Sequence, residues 1–475
     1  MKCYPIKKRE VYLYLTRNFR YWEKRNVPFI PPSVFFGNFA PIFTLQKHIS
    51  EYLQEIYDKY NNLPFIGLFS ITTPVLFVRD LDLIKAILIK DFHVFPGRNF
   101  CEETNYIREP IYLYTLFSLK GPPWKEIRPK LTSCFTRGKM KNMTHFMLTC
   151  VKQLENVIEQ RIQMEPKNPL ILKQIMSQYT SDVISNCIFG IEGSALTNPE
   201  SDGFYKMGSV MFNPSSLRAL KVYFAILGPT NRFLKMLPIR QNKEAIYKIC
   251  RNAVWKTIHY REANNIFQDD FMDALRQLRD KNVIDGDNLV AQAFVFILAG
   301  YETSSSLMSF AVYELAKNSE IQERARKEVR ECLKKYNMEM TYECISDMIY
   351  VEQVLKETLR MYPPLSFLDR ICVKEYQLPG TEIKIDPGTK IFISASSIHM
   401  DPKYYPNPKQ FNPENFSQEN IQKRDKCTFL AFGEGPKNCI GERFGMLQSK
   451  MGIASLLNKF QVSECDETPK TISRR

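Results

Sequence analysis

At 475 residues, 44 % hydrophobic and 13 % aromatic, the chain has apolar material for a large core, which excludes an intrinsically disordered protein. Its net charge of +14 is scattered and no nucleic-acid motif accompanies it, so a basic face toward anionic lipid or an acidic electron donor fits better than nucleic acid. Twelve irregularly spaced cysteines without a C-x-x-C pair, and five dispersed histidines, argue against a zinc or histidine metal site and read as reduced, mostly buried thiols.

Residues 1–27 are basic and aromatic, with Lys7-Lys8-Arg9, Arg17, Arg20 and Lys24-Arg25 around a short apolar run at 11–15. That run is too short for a spanning helix of ~20 residues or for a signal-peptide core. It reads as a basic amphipathic segment on a membrane surface or as an ordinary solvated helix. Pro28-Phe29-Ile30-Pro31-Pro32 breaks any helix and opens the globular body, a single domain over 28–475. Residues 65–69 and 74–78 alternate as strands of a small sheet, and beyond residue 120 the apolar spacing predicts helices. The fold class is mainly α with a smaller β region.

Gly121-Pro122-Pro123 opens a helix on which Trp124 and Arg128, four apart, share one face. Residues 95–118 and 204–238 are rich in large apolar side chains, among them Met207, Met211, Phe212, Tyr223, Phe224 and Phe233, which core packing explains by default. Asp285-Gly286-Asp287-Asn288 is a helix cap, followed by an almost wholly apolar run over 291–299 and then Gly300-Tyr301-Glu302-Thr303. An acid and a hydroxyl inside such a helix cost desolvation unless something uses them, although Thr303 bonding back to a carbonyl is a structural alternative. Glu357 and Arg360 stand three apart on a further helix, by default a surface pair. Strands recur over 382–400 around the turn Asp386-Pro387-Gly388.

Near the C-terminal end lies Phe432-Gly433-Glu434-Gly435-Pro436-Lys437-Asn438-Cys439-Ile440-Gly441, with a helix predicted from about Glu442 to Lys459. A cysteine in a Gly- and Pro-punctuated loop ahead of a helix suits a thiolate, whose pKa helix amides or a metal draw below the free value of ~8.5. Gly433, Gly435 and Gly441 let the backbone turn and approach a flat ligand. Phe432 offers a ring to it and Lys437 a cation for an acidic edge. The pattern Phe-x-x-Gly-x-(Arg/Lys)-x-Cys-x-Gly arises by chance in on the order of one chain of this length in several thousand, which sets aside an ordinary surface turn.

This loop resembles the haem-binding loop of cytochromes P450, and three further motifs stand in the family's order, so that the resemblance covers nearly the whole chain from about Pro28 to Phe460. It implies the P450 fold, with haem b between the Thr303 helix and the loop and Cys439 as axial thiolate. It also implies haem-propionate contacts from Trp124, Arg128, Arg370 and Lys437, and packing on the ring by Phe432 with Gly435 and Gly441. Ala299 and Gly300 would make room for O2, Glu302 and Thr303 would deliver protons, and Glu357 with Arg360 would pin the loop beneath the haem. Residues 95–118 and 204–238 would roof the substrate pocket. The loop and residues 22–32 look most like microsomal insect enzymes of the family-six type, which oxidise plant toxins, insecticides and hormones. That likeness implies monooxygenation with NADPH electrons from NADPH-cytochrome reductase, cytochrome b5 as a further partner, lipophilic substrates, and the cytoplasmic face of the endoplasmic reticulum membrane.

Two departures stand out. Asn415 replaces the arginine of the family's Pro-Glu-Arg-Phe, which predicts a poorly compensated Glu357, and Lys437 replaces an arginine, losing its two-pronged fork. The chain also looks short at both ends, lacking the relatives' apolar anchor and terminal hairpin, as a truncated or inactive product would. Two other readings stay open: a haem-thiolate isomerase or dehydratase, against which Glu302-Thr303 speaks, and a non-catalytic haem-binding or sensor protein.

Overall fold

The computed structural model describes residues 8–98, 110–212, 220, 222–223, 227 and 244–472; Phe224 and Phe233, named above, lie outside them. Strands β1 (Phe65–Ser70) and β2 (Thr73–Val78) form an antiparallel hairpin buried on both faces. Strand β3 (Leu368–Ile371) and the short pair β4 (Tyr376–Gln377) and β5 (Lys384–Ile385) lead to β6 (Lys390–Ile393). β6 lies parallel to β2 and antiparallel to β3, giving the order β1-β2-β6-β3. Beyond β6 the predicted strand gives way to a helix, because the Ser394 hydroxyl accepts from the Ser397 amide and starts Ala395–His399.

Helix α1 (Lys8–Thr16) leaves Val11, Tyr12, Leu13 and Tyr14 exposed. Residues Trp22 and Arg25, after it, pack on the sheet region. Trp22 is fully buried, donates to Leu68 O at 2.9 Å, and its ring fills the space that a methyl at Gly67 would occupy. Arg25 donates to Lys384 O at 2.9 Å and pairs with Asp386.

The helical layer holds α2 (Gly121–Thr132), α3 (Arg137–Met164), α4 (Leu172–Ile184), α5 (Glu244–Ala263), α6 (Gly286–Lys317), α7 (Ile349–Met361) and α8 (Glu442–Lys459). α6 runs through its centre. Thr180 on α4 donates to Tyr301 O at 3.1 Å, and Gln448 on α8 donates to Ser304 Oγ at 2.6 Å. α6 starts where the sequence predicts, with Asp285 at the N-cap position but without a side-chain cap bond, and Asp287 in its first turn receives Arg251 of α5 at 2.8 Å and 3.0 Å.

Candidate active site

The Cys439 loop is built by backbone geometry. Gly433 and Gly435 take left-handed φ values of 70° and 76°, and a methyl at Gly435 would collide with the carbonyl of Leu88. The turn closes where the Cys439 amide donates to Phe432 O at 2.7 Å, and α8 begins three residues after the cysteine. Cys439 keeps accessible surface, yet burial raises its thiol pKa. The two observations agree for a residue lining an interior space. The Gly441 amide, Arg128 and Arg98 act in the opposite direction and favour the thiolate, while Glu442 disfavours it.

Cations gather beside this cysteine. Arg128 donates to Asn438 O at 3.0 Å and to Asn438 Oδ1 at 2.9 Å. Lys437 donates to Leu119 O at 2.6 Å and stands 4.9 Å from the centre of the Trp124 ring. Arg98, for which the sequence offers no signal, donates to Phe117 O at 3.2 Å and to Lys437 O at 2.9 Å. An antiparallel bridge between Gly97 and Ile371 sets Arg98 beside Arg370 of β3 in register. The acceptors of Arg98 and Arg128 are neutral oxygens, and burial and the charge of Arg98 both lower the Arg128 pKa. A surplus of clustered positive charge next to a thiol suits an anionic, metal-bearing ligand, so these residues fit haem with its propionates.

On α6 the mostly buried middle is most open along one strip. Ala299 and Thr303, four residues apart, are exposed, and Val295 one turn earlier is half-buried. The next residue, Ser304, faces Gly445 of α8, which places the strip within about two turns of the cysteine loop. Thr303 Oγ1 donates to Ala299 O at 2.5 Å, the back-bond anticipated as a structural alternative, and the oxygen keeps its lone pairs as acceptors. A methyl at Gly300 would meet Ile184 of α4 at 3.0 Å, so the glycine's smallness serves the approach of α4. Glu302 is engaged by Lys173 of α4 at 2.8 Å and by the Ser306 hydroxyl at 3.0 Å.

Glu357 and Arg360 are fully buried rather than a surface pair. Arg360 donates through Nε and Nη2 to the two Glu357 oxygens, each at 2.7 Å, and through Nη1 to His399 O and Pro408 O, each at 2.8 Å. The predicted shortfall at Asn415 is not found in hydrogen bonding. The Asn415 amide donates to Glu357 Oε1 at 3.0 Å and the Asn412 amide to the same atom at 2.9 Å.

His399, unremarked in the sequence, carries the restraint to the loop. Its Nε2 accepts from the Leu430 amide at 2.8 Å, so the proton resides on Nδ1, which donates to Arg360 O at 3.1 Å. Burial, and then the Arg360 charge, hold its pKa down to about 3. From 6.5 down to about 3 the unfolded chain binds a proton that the folded chain refuses, so folding stability falls as the pH falls through this window. The slope from this one group is at most about 1.4 kcal/mol per pH unit. Asp182, which burial pushes up to about 6, acts in the opposite sense in both variant and wild type. Urea midpoints between pH 6.5 and 4.5 should therefore depend less on pH in His399→Gln than in wild type; parallel pH profiles would refute this.

A family profile described as Cytochrome P450 matches residues 27–475. Cytochrome P450 6j1 of Blattella germanica is 38 % identical over 463 residues, covering 96 % of this chain and 90 % of that relative. Cytochrome P450 6a2 of Drosophila melanogaster is also 38 % identical, over 472 residues, covering 96 % of this chain and 92 % of the relative. A cysteine loop and a central helix so arranged, in a chain matched over nearly its full length, make it a member of the cytochrome P450 family of haem-thiolate monooxygenases.

Proposed function

We propose that this P450 inserts one atom of O2 into lipophilic substrates of the insecticide, plant-toxin or hormone kind, using NADPH electrons delivered by a reductase. The observation that carries the reading is the strip Val295, Ala299 and Thr303, apolar but for one hydroxyl, opening from a buried helix beside the Cys439 loop. Bound haem would supply the iron at which dioxygen is reduced and split; that chemistry is the cofactor's own. Cys439 would hold the iron, while Arg98, Arg128, Arg370 and Lys437, with Trp124 packed beneath Lys437, would receive the propionates. Phe432 would pack against the ring, and the turns at Gly435 and Gly441 would keep the loop low.

One oxygen atom enters the substrate and the other leaves as water, so two electrons and two protons complete the balance. Thr303 Oγ1 would pass protons inward: its hydroxyl hydrogen can leave Ala299 O and its lone pairs can accept. Glu302, held by Lys173 and Ser306, would restock it through water. The exposed aromatic and aliphatic residues of α1, with Arg9 and Arg17 beside them, support peripheral contact with the endoplasmic reticulum membrane on its cytoplasmic face. Among the described residues only α6 is long and apolar enough to cross a membrane, and it is the core helix.

The test uses purified protein with NADPH-cytochrome reductase, NADPH and a lipophilic probe. Thr303→Ala is expected to lower product formation about a hundredfold, the lower end of general acid–base contributions, while NADPH is still consumed. Equal product from both proteins would remove Thr303 from the proton path, and no product from wild type would favour a non-catalytic haem protein.

A further inference from the structure

The Glu357 site contains a second arginine from an unexpected place. The short helix Gln418–Lys423 turns the chain back, and Arg424 at its end donates to the backbone carbonyl of Asn415. Its guanidinium lies 4.3 Å from the centre of the Tyr405 ring and 5.3 Å from that of Phe416. Arg360 approaches the same Tyr405 ring at 5.1 Å, so two guanidinium groups share one fully buried ring. Tyr405 is itself fixed by donating to Thr428 O at 3.1 Å, two residues before the Leu430 amide that His399 holds. Arg424 therefore touches the residue that hydrogen-bonds Glu357 and the ring that Arg360 touches, and that ring is bonded in turn to the chain entering the cysteine loop.

We propose that Asn415 and Arg424 divide between them what one arginine at position 415 would do. The Asn415 amide supplies the hydrogen bond to Glu357 Oε1, and Arg424 supplies the second positive charge of the site and locks the Asn415 backbone. A neutral side chain at 415 would otherwise leave the buried carboxylate with a single nearby cation. Burial lowers the Arg424 pKa and Arg360 also opposes its charge, while Tyr405 and Glu357 favour the charged form. Arg424 is thus a positioning residue, acting on the Cys439 loop through Asn415 and Tyr405; its relevance to haem rests on the function proposed above.

The test is a rescue series of wild type, Arg424→Gln, Asn415→Arg and the double variant, followed by urea unfolding and by haem transfer to an apoglobin acceptor. Arg424→Gln is expected to lower the urea midpoint and to speed haem transfer about tenfold, as a lost coupling of ordinary size does. The double variant should return to within about twofold of wild type, because the charge is restored from position 415. Asn415→Arg alone should gain nothing, since two cations then crowd one carboxylate. A double variant no better than Arg424→Gln, or an Arg424→Gln protein indistinguishable from wild type, would overturn the proposal. If the wild type bound no haem, the reading of the site would fail, and the urea series alone would still decide the role of Arg424.

Discussion

Cys439→Ser is expected to abolish the strongly red-shifted Soret band of the reduced, carbon monoxide-treated protein, and product formation with it. The physical reason lies in the balance around the thiol. Burial raises its pKa, and the Gly441 amide, Arg128 and Arg98 only partly offset that, so the loop alone favours a neutral thiol. A coordinated metal ion would supply the missing positive charge and hold the sulfur as the thiolate. A serine hydroxyl in the same place is far less acidic and cannot take the same part. The cationic cluster does not involve the sulfur directly, so the variant should keep some haem while losing the spectral signature. Haem content by extraction, measured beside the carbon monoxide difference spectrum, separates the two effects. An unchanged red-shifted band in the serine variant would refute iron ligation by Cys439.

The second large effect is expected at Arg360. Arg360→Met leaves the Glu357 carboxylate fully buried with only the Asn412 and Asn415 amides as direct donors. Removing one partner of a buried pair costs about 3–5 kcal/mol. Against a total stability of roughly 5–15 kcal/mol this is enough to prevent folded protein from accumulating at ordinary growth temperature. Glu357→Gln should cost less, because the stranded Arg360 still has the carbonyls of His399 and Pro408 as acceptors at 2.8 Å. Urea midpoints and soluble yield of the two variants give the order directly; a milder effect at Arg360 than at Glu357 would contradict the assignment.

What can be read in the sequence follows from the range of the forces involved. The helix starting at Gly121, the helix Glu442–Lys459 and the hairpin strands, placed within a residue or two, are set by local residue types and periodicity. The loop around Cys439 is likewise local, since its shape comes from glycines at positive φ. Arg98 is invisible in the sequence because its acceptor on Lys437 lies 339 residues away. His399 and Arg424 are missed for a related reason: neither has a motif, and each acquires its role only when distant backbone segments arrive beside it. The run at 285–288 is half legible: the helix starts there with Asp285 at the N-cap position, but no side-chain cap bond forms and tertiary pairing with Arg251 takes the Asp287 carboxylate.

The central sheet sets a timetable for synthesis. Val78 of β2 pairs with Ile393 of β6, a separation of 393 − 78 = 315 residues. At ~5–20 residues per second, a ribosome needs on the order of 15–60 s to deliver β6 after β2 has emerged. Through that interval the β1–β2 hairpin carries an open, apolar pairing edge, the kind of template on which nascent chains associate with one another. Yield in a cell should therefore depend on what shields this hairpin during translation, independently of how stable the finished enzyme is.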